Sequence, residues 1–194
     1  MNENTVKEPI LVKPFQWEHW IPLMQLLSSH LAEDGVILDP EEIPDKPEDT
    51  PAGSADWDLD HIDRVYLSGS GGFWLAWYGN IPIGHVGAQD LGGVIELRRM
   101  YVKAEYRRRG AGTKLVQALI KHCAAKGVRV IEIGTGENGP GRFLYEKLGF
   151  RRIDRPGTEF ENVVDATEYS PGTGETRMRL DLAGSDHTNY YKPN

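Results

Sequence analysis

Apolar positions change their spacing along the chain in a way that separates strands from helices. ILVKPF (10–15) reads as a short strand, and Trp17 through Leu31 carries apolar residues at helical spacing through Ile21, Met24, Leu27 and Leu31. GFWLAWYGNIPIGHVGAQD (72–90) reads as two strands joined around Gly79-Asn80, a pair suited to the positive backbone angles of a tight hairpin. VIELRRMYV (94–102) follows directly, so three successive strands, expected to be antiparallel, occupy the middle of the chain. Gly112, Leu115, Val116, Leu119, Ile120 and Cys123 then recur at three- and four-residue spacing, and Gly127 stands where a helix end is expected. VRVIEIG (128–134) is a nearly continuous apolar strand, as expected for a buried, partly parallel position reached through that crossover helix. A second helix at about Gly141 to Leu148 follows Pro140, GFRRI opens another strand, and ETRMRLDL alternates as a final one.

Two stretches break this pattern. From Glu33 to Asp63 the chain is dense in Asp and Glu, with Pro40, Pro44, Pro47 and Pro51 opposing any long regular element. Its simplest reading is a solvated loop, its alternative an acidic lid near a substrate, and Asp58 to Leu67 has the pattern of a short helix. The polar tail from about 184 to 194 is expected to fray. With 194 residues, 39% hydrophobic and 26% charged, the whole reads as one globular domain, 1–194.

Composition narrows the classes. No apolar run approaches the roughly 20 residues that span a bilayer, and MNENTVKEPI lacks the features of a signal peptide, so a cytoplasmic location is expected. One cysteine and six scattered histidines give no disulfide and no metal-ligand spacing, so no metal is expected. The net charge of -7 disfavours nucleic acid as a partner and favours a cationic small molecule or peptide.

The most informative stretch is YVKAEYRRRGAGTKLV (101–116), where a strand ends, a short turn follows and glycines open a helix. Free N–H groups at such a helix start, with the positive end of its dipole, cradle a pyrophosphate. Gly110 and Gly112 let the backbone come close, and Arg107, Arg108 and Arg109 add charge suited to a ligand with several phosphates, such as coenzyme A. Taken alone, the arginine triplet could merely coat a helix entrance. GTGENG (134–139) also fits the dinucleotide pattern G-x-G-x-x-G, but only about 55 residues follow it, too few for the rest of a doubly wound sheet. There is no Walker A sequence.

Arg107-x-x-Gly110-x-Gly112, after ELRRMYV and before an amphipathic helix, resembles the Arg/Gln-x-x-Gly-x-Gly/Ala signature of the GNAT superfamily of N-acetyltransferases. FLYEKLGF (143–150) resembles the second landmark of that family, and the likeness covers roughly Gly72 to Ile153. The resemblance implies an α/β fold with a mixed, mostly antiparallel sheet, helices on both faces, and fourth and fifth strands, Val94 to Val102 and Val128 to Gly134, that splay apart. It implies acetyl-CoA as cosubstrate, with its pantetheine arm paired to the backbone of Met100 and Val102. Its pyrophosphate would lie on Arg108, Arg109, Gly110, Ala111, Gly112 and Thr113, beside Arg107.

An alkylammonium, with a pKa of about 10, must lose a proton before it attacks a thioester. Glu96, where many members of the family carry a glutamate, is the candidate base. Residues 96, 98 and 100 are expected on one strand face, so Glu96 could equally be ion-paired to Arg98 or Arg99. The Met100 N–H is a candidate oxyanion donor. Tyr145 in FLYEKLGF is the candidate acid for the departing thiolate, with core packing as its alternative, and Asn138 could bond the pantetheine arm or stabilise its own turn. Cys123 lies on the apolar stripe of the long helix, which opposes a covalent acetyl-cysteine; His85, Trp74 and Trp77 lie on strands beside the expected groove and could be core. The expected partner is an amine of a small molecule or peptide, with homodimerisation left open. The competing function is a GNAT-like domain that binds an acyl-CoA or a peptide without catalysis.

Overall fold

Continuous apolar strands such as GFWLAWY arise where a sheet is covered on both faces, and both faces are covered here. The computed structural model describes residues 8–37, 39, 44–51, 57–136, 139–153 and 175–182. Its strands are β1 (Ile10–Pro14), β2 (Gly72–Tyr78), β3 (Ile81–Asp90), β4 (Val94–Val102), β5 (Val130–Gly136), β6 (Arg151–Arg152) and β7 (Glu175–Asp181). They form one sheet in the order β1-β2-β3-β4-β5-β7-β6, antiparallel throughout except between β4 and β5. The β2–β3 turn is made by Gly79, whose φ is 57°; Asn80 is not in the left-handed region.

Helix α1 (Trp20–Glu33) follows a single 3-10 turn at Trp17–His19, and α2 (Trp57–Asp60) and α3 (Ile62–Val65) are one turn each. These three pack on one face against Phe73, Leu75, Trp77 and Tyr101. Helices α4 (Ala111–Ala125) and α5 (Pro140–Lys147) cover the other face. There Leu115, Val116, Leu119, Cys123 and Tyr145 meet Trp74, Ala76, Ile83, Ile95, Leu97, Ile131 and Ile133. The two-residue period of β2 thus sends alternate side chains into two different cores.

The fifth strand begins later than its apolar run suggests, because the run first serves to end α4. Gly127, at φ 74°, donates to the Ala124 carbonyl, and Val128 donates to that of Cys123 at 3.0 Å. This pair of bonds satisfies the last helical carbonyls and holds Val128 out of the sheet. Strand β5 then pairs with β4 at only three positions, Val94↔Val130, Ile95↔Ile131 and Glu96↔Glu132. Past these it stays with β7, from Val130↔Asp181 to Gly136↔Glu175, so β4 and β5 part as the resemblance implied.

Strand β4 carries one residue too many for β3, since His85 pairs with Tyr101 while Gly87 pairs with Arg98. Arg99 absorbs the extra residue at φ 51°, a conformation that a non-glycine residue keeps only when its surroundings hold it. The holding group is Asp58 on α2, buried and bonded to Arg99 through both carboxylate oxygens, with Arg99 Nε to Oδ2 at 2.9 Å. Tyr66 donates its hydroxyl to the same carboxylate. The reading of 33–63 as a solvated loop is therefore wrong at this end: Asp58 and Leu59 are core residues. The bulge also corrects the expected face of the strand. Glu96 and Arg98 share one side, but Met100 lies on the other, packed with Val102 against the α4 core.

Burial alone would raise the Asp58 pKa, but the hydrogen bonds and charge of Arg99, aided by Tyr66, outweigh it and hold the carboxyl below its usual range. Its stabilisation is then complete above pH ~4 and disappears as pH falls further. Asp58→Asn is expected to cost about 3 kcal/mol at pH 7 in urea unfolding, the scale of a broken buried pair. The difference from the parent should shrink below pH ~4; a difference that persists unchanged down to pH 3 would contradict the charge-based account.

Candidate active site

The turn between β4 and α4 is built by backbone conformation. A 3-10 turn at Ala104–Tyr106 is followed by Arg108 at φ 59° and Gly110 at φ 89°, which caps the helix. The first helical bond runs from Lys114 N–H to the Gly110 carbonyl at 3.0 Å, so the N–H groups of Ala111, Gly112 and Thr113 have no acceptor within the helix. A Cβ at Gly112 would come within 3.1 Å of Met100 Cε and 3.2 Å of Leu144 Cδ2. Glycine lets the helix start approach β4 and α5 this closely without displacing the ends of those two side chains.

The three arginines diverge. Arg107 turns back, donating from Nε to the Val102 carbonyl at 2.8 Å and pairing with Glu33 at the end of α1. Arg108 lines the gap between the strands. Arg109 lies over the Tyr106 ring, in a separate depression with Glu8, Tyr78 and Lys114. Ala111 is buried in the core, which leaves only its backbone to meet a ligand, and Asn138 lies outside the described residues.

Where β4 and β5 part, a cleft of about 820 Å³ opens, walled by Glu96 to Val102, by Ile133 to Thr135, and by Gly110, Gly112 and Thr113. Both candidate catalytic residues line it. Glu96 stands at the last β4–β5 pair, its side chain 8% exposed, with Oε1 3.9 Å from Arg177 Nη1 on β7. Arg98, the partner that strand spacing suggested, donates to Gln89 Oε1 at 3.0 Å. Tyr145 projects from α5 with its ring 5.6 Å from Phe150; burial raises its hydroxyl well above the ordinary value, so it is protonated at neutral pH. It is thus both a packed aromatic and a cleft residue. Sequence reasoning missed Arg177, though the alternation of Met178 and Leu180 into the core places 177 and 179 on the opposite face.

His85 is fully buried on β3 and binds the carbonyl of Arg99 through Nδ1. A carbonyl only accepts, so Nδ1 carries a proton, and burial keeps the ring neutral at pH ~7. Phe73 stacks on it and Tyr101 flanks it. Asp58 therefore holds the side chain of the bulge residue, and His85 its backbone. Trp74 and Trp77 are core residues, and Cys123 lies in the α4 core with its thiol pushed up to about 12 by burial. Among the described residues, no group of His, Cys, Asp and Glu is arranged to hold a metal, and no helix is long and apolar enough to cross a membrane.

The sheet parted between parallel strands, with helices on both faces, defines an α/β domain with its cleft at the parting. Residues 32–150 match the sequence model of the Acetyltransferase (GNAT) family, and the chain belongs to that family. The solved GNAT-family acetyltransferase of Staphylococcus aureus Mu50 superposes with a TM-score of 0.66 at 22% identity, over 90% of this chain and 99% of that one. The PaiA N-acetyltransferase of Thermoplasma acidophilum, solved in complex with coenzyme A, superposes with a TM-score of 0.59 at 17% identity, over 89% and 99%. Among curated proteins, the N-acetylaspartate synthetase of Danio rerio is 31% identical over 100 residues, which is 50% of this chain and 36% of that protein. The chain thus matches about a third of that relative's length.

Burial lowers the His85 pKa to about 3, against about 6.5 in an unfolded chain. The unfolded state takes up the proton first as pH falls, so this residue's contribution is complete above pH ~6.5 and declines at about 1.4 kcal/mol per pH unit toward pH 3. Urea unfolding at pH 7, 6 and 5 should show this slope in the parent. His85→Asn, which keeps a donor for Arg99, should reduce it by about one proton; an unchanged slope would place the titration elsewhere.

Proposed function

We propose that this chain, acting as a single catalytic domain, transfers an acetyl group from acetyl-CoA to a primary amine of a small molecule or peptide by direct attack. The observation that carries the reading is that Glu96 and Tyr145, from different elements, line the one cleft that the parting of β4 and β5 opens beside the α4 start. The Danio rerio relative, named for acetylated aspartate, supports a small amine as acceptor.

The residues fit the cosubstrate. The free N–H groups at the α4 start and the Arg108 side chain receive the pyrophosphate. The edge of β4 that β5 abandons offers Met100 and Val102 to the pantetheine amides. The Val102 carbonyl already accepts from Arg107, which leaves its N–H for this contact. Glu96, directly or through a water, removes a proton from the acceptor ammonium and frees the lone pair that attacks the thioester carbon. As the C–N bond forms, the Met100 N–H steadies the oxyanion. When the C–S bond breaks, Tyr145 gives its proton to the thiolate, and the proton leaving nitrogen restores the phenol through solvent. Because a thiolate is a weaker base than a phenolate, Tyr145 gives up its proton only in concert with the proton that leaves the nitrogen.

Two variants separate binding from chemistry. Gly112→Asp sets a negative side chain against the pyrophosphate and is expected to abolish acetyl-CoA binding in calorimetry while the thermal transition persists; undiminished affinity would show that the phosphates lie elsewhere. Tyr145→Phe keeps the ring, so acetyl-CoA should bind as before while turnover with an amine for which chemistry is rate-limiting falls roughly 100-fold. Parent-like turnover would remove Tyr145 from the mechanism. Binding of acetyl-CoA by the parent, with no amine in a broad panel acetylated, would support the non-catalytic binding domain instead.

A further inference from the structure

We infer that the acceptor amine carries a carboxylate a few bonds from its nitrogen, as an amino acid does, and that Arg98 binds this group. The inference rests on the transferase reading above and adds the acceptor's chemical class.

Charge within the cleft points to it. Among the described residues, four arginines, Arg98, Arg99, Arg107 and Arg108, line the cleft against one carboxylate, Glu96. Arg99 is neutralised by Asp58 and Arg107 by Glu33, while Glu96 faces Arg177. Among the described residues, Arg98 and Arg108 have no carboxylate at ion-pair distance, and they stand at opposite ends of the cleft. Arg108 is at the phosphate turn, where the cosubstrate brings its own anions. Arg98 is at the far end, beside the candidate base. Asp58 is near enough to feel the charge of Arg98, but both of its oxygens are held by Arg99 and Tyr66. The partner of Arg98 is the neutral amide oxygen of Gln89, which fixes Nη1 and leaves the charge uncompensated.

Geometry gives the size of the ligand. Glu96 and Arg98 are on the same face of β4, two positions apart, so their Cα atoms are about 7 Å from each other at about 3.3 Å rise per residue. An amine at Glu96 and a carboxylate at Arg98 fit a molecule in which the two are close. A guanidinium anchored on one side still presents a planar pair of N–H donors to a carboxylate, and partial burial strengthens that contact. The net charge of -7 over the whole chain favours a cationic ligand, yet the acceptor end of the cleft is locally positive. The local field decides which ligand is seated there, because salt screens charges farther than about 10 Å away.

The test compares amino acids with the amines left by their decarboxylation, such as phenylalanine with phenethylamine and tyrosine with tyramine, at fixed acetyl-CoA and pH. The parent should favour the carboxylate member of each pair by roughly 100-fold in kcat/KM, mostly through KM, the scale of one charge-assisted contact. Arg98→Gln should bring that ratio close to one, and Arg98→Lys, which keeps the charge without the fork, should leave it intermediate. A parent that acetylates the decarboxylated amines as well as the amino acids, or an Arg98→Gln variant that keeps the ratio, overturns the carboxylate inference and leaves the transferase reading intact. If no amine of either kind is acetylated, the transferase reading fails and this inference with it.

Discussion

The backbone ladder between β4 and β5 stops at Glu96↔Glu132, and the architecture of the cleft follows from that interruption. Strand β5 loses nothing by leaving, because β7 pairs with it along its full length. Strand β4 is left with polar groups on an open edge, and buried N–H and C=O groups without partners are costly. A molecule with amides at strand-like spacing satisfies them, which is how a sheet becomes a binding site without any special side chain. The same opening sets Glu96, at the last β4–β5 pair, and the α4 start on the walls of one cleft.

Burying charges around such an opening is expensive unless each is paired. The chain pairs nearly all of them across long stretches of sequence: Asp58 with Arg99, Glu132 with Arg179, Glu96 near Arg177, and Glu33 with Arg107. The value of these pairs is positional. Breaking any of the first three leaves a desolvated carboxylate behind, whereas the Glu33–Arg107 pair stays in contact with solvent and holds its elements more weakly. In this way α1 is tied to the turn before α4, and α2 to the bulge of β4.

How much of this was legible depended on whether the signal was local. The three central strands, the α4 stripe and the helix before Leu148-Gly149-Phe150 announce themselves by period, and the parting of β4 and β5 came from the family resemblance of the glycine turn. What was not legible joins distant residues. Nothing around Asp58 distinguishes it from the other acids of its run; only Arg99, 41 positions later, does. The bulge has no glycine to mark it, because an arginine occupies the left-handed position and is held there by partners on α2 and β3. The place of Arg107 in the triplet gives no sign of its tie to Glu33, which spans 74 positions.

The bulge has a further effect on β4. In an uninterrupted strand, Glu96, Arg98, Met100 and Val102 would share one face, and Arg99 would point into the α4 core beside Leu97. One inserted residue reverses the parity from Arg99 onward. Met100 and Val102 join the apolar side that packs on Gly112 and Leu144, while Arg98 and Arg99 both fall on the side of α1 and α2. Two consecutive arginines on one face can divide the work: Arg99 is neutralised to hold the strand's shape, and Arg98 keeps its charge at the cleft. A regular strand would have had to bury the first of these tasks in an apolar core. The strain at Arg99 is thus what lets a single short strand turn an apolar wall toward α4 and α5 while its two arginines lie on the side of α1 and α2.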